Sequence, residues 1–156
     1  MASTTVYGGR TVPFVVRVQS GTINRAIYRI AILADPASRS GRSWKPGPGW
    51  NGKLRYTFGG GCGFGRHQGI NQATTVLNET NLSRGFAVAT STLNIYGTAC
   101  DDDLSAETAM MVKEHFSENY GVPRYTMGQG GSGGAMQQHP PVANVDAALL
   151  HRYRAR

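Results

Sequence analysis

Two rhythms of apolar residues succeed one another along this chain: short alternating or continuous runs suited to strands, and three-to-four spacings suited to helices. Thr11 to Val18 (TVPFVVRV) and Ala26 to Ala34 (AIYRIAILA) are dense in β-branched and aromatic residues, and the Ser20-Gly21-Thr22 break between them predicts two consecutive strands. Asp35 to Gly52 holds Pro, Gly, Ser and Arg with Trp44 and Trp50, the pattern of an exposed loop. Lys53 to Phe58 (KLRYTF) predicts a third strand, which runs straight into Gly59-Gly60-Gly61-Cys62-Gly63-Phe64-Gly65-Arg66-His67. A weak helical pattern from Asn71 to Leu82 precedes Gly85 to Ser91 (GFAVATS), a nearly continuous apolar run of the kind buried on both faces of a parallel sheet. Asp101-Asp102-Asp103 leads a helix to about Tyr120 in which Ala109, Val112, Phe116 and Tyr120 share one face, and Gly121-Val122-Pro123 stops it. A fifth strand at Arg124 to Gly128 and a helix after Ser132 follow. Strand alternating with helix predicts an α/β fold, a parallel sheet with helices on both faces.

The composition, 40% hydrophobic and 16% charged, is that of a globular chain, and 156 residues suit one domain rather than two. A formal charge of +7 raises nucleic acid or an anionic membrane as partners. Its distribution argues against both. Arg and Lys are scattered, with no basic helix and no run interleaved with aromatics, and the excess at His151, Arg152, Tyr153, Arg154 and Arg156 reads as a solvated tail. No stretch approaches the ~20 apolar residues of a membrane span. The start, Met1 to Tyr7, shows neither the basic nor the apolar region of a signal peptide. Two cysteines, Cys62 and Cys100, are too few to define a compartment by count.

Candidate chemistry concentrates in Arg124 to Gln137, a strand that turns through small residues into a helix with Ser132 at the turn. A serine hydroxyl becomes a useful nucleophile only when it is held rigidly, offered a base, and faced by donors for the oxyanion it creates. Gly130-Gly131-Ser132-Gly133-Gly134 matches the G-x-S-x-G elbow, whose flanking glycines make room for a strained backbone and whose following N–H, here Gly133, points at the oxyanion. In a chain with 21 glycines the match can also arise by chance. A rival is the dinucleotide fingerprint G-x-G-x-x-G through Gly128, Gly130 and Gly133. That fingerprint needs an acidic residue about 20 positions further on; Asp146 comes too early and follows no convincing strand.

Ligands of a parallel sheet gather at the carboxyl ends of its strands, where three segments of this chain converge: Gly59 to His67, Asn94 to Asp103, and the Ser132 elbow. The glycine run lets backbone amides approach a ligand, so Gly60 and Gly61 are candidates for the second oxyanion donor. Arg66 and His67 stand beside it and could meet a substrate carboxylate or phenol. Asp101, Asp102 and Asp103 lack the alternation of a calcium loop and suit the dipole at a helix start, so they read as capping rather than metal binding. His115 reads as an ordinary helical residue. No metal and no cofactor is expected.

Gly49-Trp50-Asn51-Gly52-Lys53-Leu54 with the glycine run after it, and Gly131-Ser132-Gly133-Gly134-Ala135-Met136-Gln137, resemble the tannase and feruloyl-esterase branch of the α/β-hydrolases, most closely a group of secreted bacterial relatives. The resemblance spans roughly Gly9 to His139. It implies a three-layer sandwich acting on small-molecule or polymeric esters, with Ser132 as nucleophile, Gly133 and Gly60/Gly61 as oxyanion hole, and an extracellular or periplasmic location. In fungal members a cysteine precedes the nucleophile; here Gly131 stands there, so substrate preference does not carry over. The acid and histidine that should follow the nucleophile are also missing from their expected places. His139 would lie roughly 10 Å along the helix from the elbow. Asp146 and His151 stand in the right order without room for two intervening strands. The expectation is therefore an incomplete hydrolase: 1–139 as its first five strands up to the elbow, 140–156 as a divergent, poorly ordered basic tail. Such a chain would be inactive as it stands, and a noncatalytic interaction module is the alternative. The resemblance also makes the third and fourth strands neighbours, which brings Cys62 and Cys100 to one edge as a possible disulfide, with buried thiols as the alternative. The fifth strand would be an open edge prone to self-association.

Overall fold

The computed structural model describes residues 2–37, 46–62, 66–70 and 76–138. A two-stranded antiparallel ladder, β1 (Ser3–Thr5) with β2 (Thr11–Pro13), comes first. The strand expected from Thr11 to Val18 is thus divided. Pro13 has no N–H with which to continue a ladder, and the chain crosses at Phe14 and Val15 into β3 (Val16–Ile23) of the main sheet. Asn24 and Arg25, with φ of 52° and 60°, form a two-residue turn into β4 (Ala26–Leu33). The expected break at Ser20-Gly21-Thr22 lies inside β3. Gly21 is there because the Tyr28 ring crosses it: a Cβ would come within 2.7 Å of that ring.

β5 (Lys53–Gly59), α1 (Glu79–Ser83), β6 (Ala87–Ile95), α2 (Asp102–Tyr120), β7 (Tyr125–Gln129) and α3 (Gly133–Met136) complete the described elements. The five-stranded sheet runs β3-β4-β6-β5-β7. β5 pairs parallel with β6 and β7, whereas β4 is antiparallel to both β3 and β6. The sheet is therefore mixed, not wholly parallel. A two-residue turn forces its strands antiparallel, and hydrophobic periodicity carries no information about direction.

Side-chain alternation gives each face its own core. Leu54, Tyr56 and Phe58 of β5 join Ala87 and Ala89 of β6 and Tyr28, Ile30 and Ile32 of β4 against Val112, Phe116 and Tyr120 of α2. Val88 and Ala31, on the other face, meet Leu82 of α1 and Val76. β6, in the middle, is buried from Ala87 to Asn94. Asp101 caps α2 by accepting the Leu104 N–H at 3.0 Å, and Gly121 (φ 102°) closes it with an N–H to the Ser117 carbonyl.

Two further expectations change. The end of the 35–52 segment is partly buried rather than an exposed loop, because Trp50 packs edge-on against Phe116 of the core (5.7 Å) and donates its indole N–H to Lys53 O; Trp44 lies outside the described residues. In the stretch expected to be weakly helical, 71–75 lie outside them too, and the helix present is the short α1, capped by Asn78. His139 and the 140–156 tail are likewise outside the described residues.

Candidate active site

Because β5, β6 and β7 run parallel, their carboxyl ends deliver three loops to one edge of the sheet. Ser132 follows β7 with φ 56° and ψ −129°, a region that non-glycine residues rarely occupy, and it is exposed. Its neighbours explain how the turn is held. A Cβ at Gly130 would stand 2.5 Å from the Gly134 carbonyl oxygen and 2.8 Å from that of Phe58; one at Gly134 would stand 2.7 Å from the same Phe58 oxygen. The elbow therefore sits directly on the backbone at the end of β5. Gly133 is pressed against Gly61 O and the buried Tyr96 ring, with a Cβ at 2.6 and 2.9 Å respectively, while at Gly131 a Cβ would meet nothing within 4 Å.

Gly60 faces the elbow from β5. A Cβ there would be 3.4 Å from Ser132 Cβ and 3.6 Å from Gly133 N. Among the described residues the N–H groups of Gly60, Gly61 and Gly133 donate to no acceptor. Ser132, the Gly133 N–H and the Gly60 backbone thus stand side by side beyond the end of β5.

The loop after β6 laces this glycine segment in place. Tyr96 N–H donates to Gly59 O (3.2 Å) and Gly97 N–H to Gly60 O (3.1 Å). Cys62 and Cys100 form a disulfide, Cα to Cα 5.0 Å. Arg66 forms a bridge with Ala99, and its guanidinium pairs with Asp101, whose second oxygen caps α2. The Arg66 side chain remains 69% exposed, so it stands at the rim while part of its charge is engaged. His67 is exposed, with its N–H on Thr98 O at 3.3 Å.

Sequence reasoning missed what lies beneath. A directed chain of hydrogen bonds, buried but for its partly buried last link, runs from Tyr56 hydroxyl to Asn94 Oδ1 (2.7 Å), from Asn94 Nδ2 to Ser105 Oγ (2.9 Å), from Ser105 hydroxyl to Gln137 Oε1 (2.7 Å), and from Gln137 Nε2 to Gly59 O (2.7 Å). Burial raises the Tyr56 phenol well above its ordinary value, so it stays a donor. The signal was an asparagine inside an apolar strand and a glutamine four residues after Gly133; each polar group, buried, must find a partner.

Among the described residues no histidine bonds to Ser132. His115 is turned toward β3, at the opposite edge of the sheet from β7, where its Nε2 meets the Tyr28 hydroxyl (2.9 Å) and the Gln19 amide (3.1 Å). His139, Asp146 and His151 lie outside the described residues. Among those described, no group of three or more His, Cys, Asp and Glu side chains could hold a metal ion. Gly128 lies within β7, paired with Tyr56, rather than in the turn where the first glycine of a dinucleotide fingerprint belongs.

The model of a tannase-like family of unknown function (DUF6351) matches residues 1–149. The chain belongs to this family. In this tannase-like protein the matched span takes in the glycine run, both cysteines and the Ser132 elbow. No curated protein matches the chain, and no solved structure does.

Proposed function

We propose that this tannase-like protein is a serine-nucleophile carboxylic-ester hydrolase built on an α/β-hydrolase-type sheet. The observation that carries the proposal is the backbone of Ser132, a non-glycine residue at φ 56°, ψ −129° between β7 and α3, beside the Gly60 backbone and the Gly133 N–H, neither of whose N–H groups has an acceptor among the described residues. A folded chain keeps such a conformation when the surroundings over-determine it, and such strained residues cluster at functional sites. The position of the glycine segment, after the third strand of the main sheet, adds support, since that is where the elbow enzymes keep their second donor.

In this mechanism Ser132 Oγ attacks the ester carbonyl carbon and gives its proton to a base. The carbonyl oxygen becomes an oxyanion held by Gly133 N–H and by Gly60 or Gly61. The alcohol leaves with a proton returned by the base, and water then attacks the acyl-enzyme by the same route. No cofactor enters. Among the described residues no base or acid is assigned to Ser132. An oxidising compartment, periplasmic or extracellular, suits the disulfide.

A fluorophosphonate probe tests the nucleophile: labelling of Ser132 that disappears in Ser132→Ala supports the proposal, and labelling that survives the substitution overturns it. A second reading is a noncatalytic module that joins another strand at β7. It is favoured by one observation: every residue of β7 is exposed, with Tyr125 at 63% and Met127 at 52%, and among the described residues β7 pairs with β5 alone. A folded, unlabelled protein that self-associates on size exclusion would favour this reading.

A further inference from the structure

Resting on the proposed hydrolase site, we propose that Gln137 is a positioning residue: its side-chain amide fixes the Gly59–Gly60 peptide plane and so aims the Gly60 N–H at the oxyanion. Gln137 stands just past α3 and is 1% exposed, the burial of a core residue. Its two polar atoms do different things. Oε1 accepts the Ser105 hydroxyl proton at 2.7 Å, which sets the amide's orientation, and Nε2 donates to Gly59 O at 2.7 Å. Gly59 O also accepts the Tyr96 N–H at 3.2 Å. Two donors on one carbonyl fix the direction of its C=O. The peptide is planar, so the N–H at the other end of the same plane, that of Gly60, is fixed with it and points the opposite way.

A glycine at the exit of a strand is the residue whose peptide can most easily rotate, and an oxyanion donor works only when its direction is set before the charge develops. Gly60 has no side chain to restrain it, and its N–H has no acceptor among the described residues. Together with the Tyr96 N–H, Gln137 supplies the restraint, from the end of the elbow's own helix. Nucleophile and donor are thereby positioned by one short segment, Ser132 to Gln137.

Three variants test this, read by backbone NMR and by fluorophosphonate labelling. In Gln137→Met, which keeps the length and removes both hydrogen bonds, the Gly60 and Gly61 amide resonances should shift or split while those of Val88 and Ala89 keep their protection. The maximum labelling rate should fall about 10- to 100-fold, with the probe's half-saturating concentration little changed. Gln137→Glu supplies a reversible version. Its buried carboxyl is neutral at low pH and can still donate to Gly59 O, and on ionising it confronts that carbonyl with a negative charge. The labelling rate relative to wild type should therefore be near one at pH 5 and drop as pH rises through the raised pKa of the new carboxyl, with the Gly60 resonance moving in step. Tyr56→Phe, at the far end of the hydrogen-bond chain, should lower the Tm and leave the Gly60 resonance in place.

Unchanged Gly60 and Gly61 resonances in folded Gln137→Met overturn the proposal. So does a Gln137→Glu resonance pattern that is flat from pH 5 to 8, and this variant decides the matter if the methionine protein does not fold. Absence of Ser132 labelling in the wild type would count against the hydrolase proposal alone, because the resonances report the peptide plane without any reaction.

Discussion

Alanine substitution at two adjacent glycines of the elbow should give opposite results. At Gly130 the new methyl would lie 2.5 and 2.6 Å from the carbonyl oxygen and carbon of Gly134 and 2.8 Å from Phe58 O. All three are backbone atoms, so relief requires α3 to lift off the end of β5, and overpacking of this kind costs about 1–3 kcal/mol. At Gly131 a methyl meets nothing within 4 Å, and no positive φ opposes a side chain there. Alanine at that position should be neutral or stabilise by about 0.4–1 kcal/mol, through the lost freedom of the unfolded chain. The expected gap between the variants is roughly 1–4 kcal/mol. For a domain of this size it corresponds to about 2–15 °C in Tm. Thermal and urea unfolding of the purified single variants measures it directly, and Gly134→Ala, 2.7 Å from Phe58 O, should behave like Gly130→Ala. Equal Tm values for the Gly130 and Gly131 variants would refute the reasoning, because glycines present only through composition would not be distinguished by position.

Three other outcomes are expected. Reducing the Cys62–Cys100 bond, or replacing both cysteines with serine, should lower stability by about 4 kcal/mol in the chain-entropy model for a sequence separation of 38; uptake of two alkyl groups by unreduced protein would show that the bond is absent. Ser132→Gly should be about 1 kcal/mol more stable than Ser132→Ala, because only glycine relieves the φ of 56°, and equal urea midpoints would deny the strain. Burial raises the phenol pKa of Tyr28, Tyr56 and Tyr120 above the ordinary 10.0. Above about pH 10 the folded state therefore holds more protons than the unfolded one, so stability should be intact below that pH and fall as it is exceeded. Urea midpoints that do not drop between pH 9 and 11 would contradict this.

The order of strands and helices was legible because each long element carries its own rhythm: Val112, Phe116 and Tyr120 on α2, the apolar run of β6, and the strand-turn-helix around Ser132. Strand direction was not. It depends on Asn24 and Arg25, two residues outside the alternating pattern, and a glycine at position 21 looks like a turn until Tyr28 is seen lying across it. At the site, glycine spacing pointed to a serine elbow, and three strand ends pointed to a shared edge. Gln137, Asn94 and Ser105 were hidden because a buried hydrogen-bond chain joins residues from different elements, and no local pattern records such a pairing. The same holds for Arg66, whose partner Asp101 is 35 positions away.

β7 leads into the serine turn but buries none of its own side chains. The ladder to β5 ties it to the sheet, and the turn that follows is tied through the contacts of Gly130 and Gly134 with Phe58 O and the Gln137 bond to Gly59 O. Elements with few buried apolar groups exchange their amide hydrogens by sub-global opening at free energies below that of the whole domain. The elbow should therefore form a separate opening unit, detaching from the β3-β4-β6 sheet before that sheet melts. On heating, loss of a reactive Ser132 would precede loss of far-ultraviolet circular dichroism, and a calorimetric Tm would overstate the temperature at which the site survives.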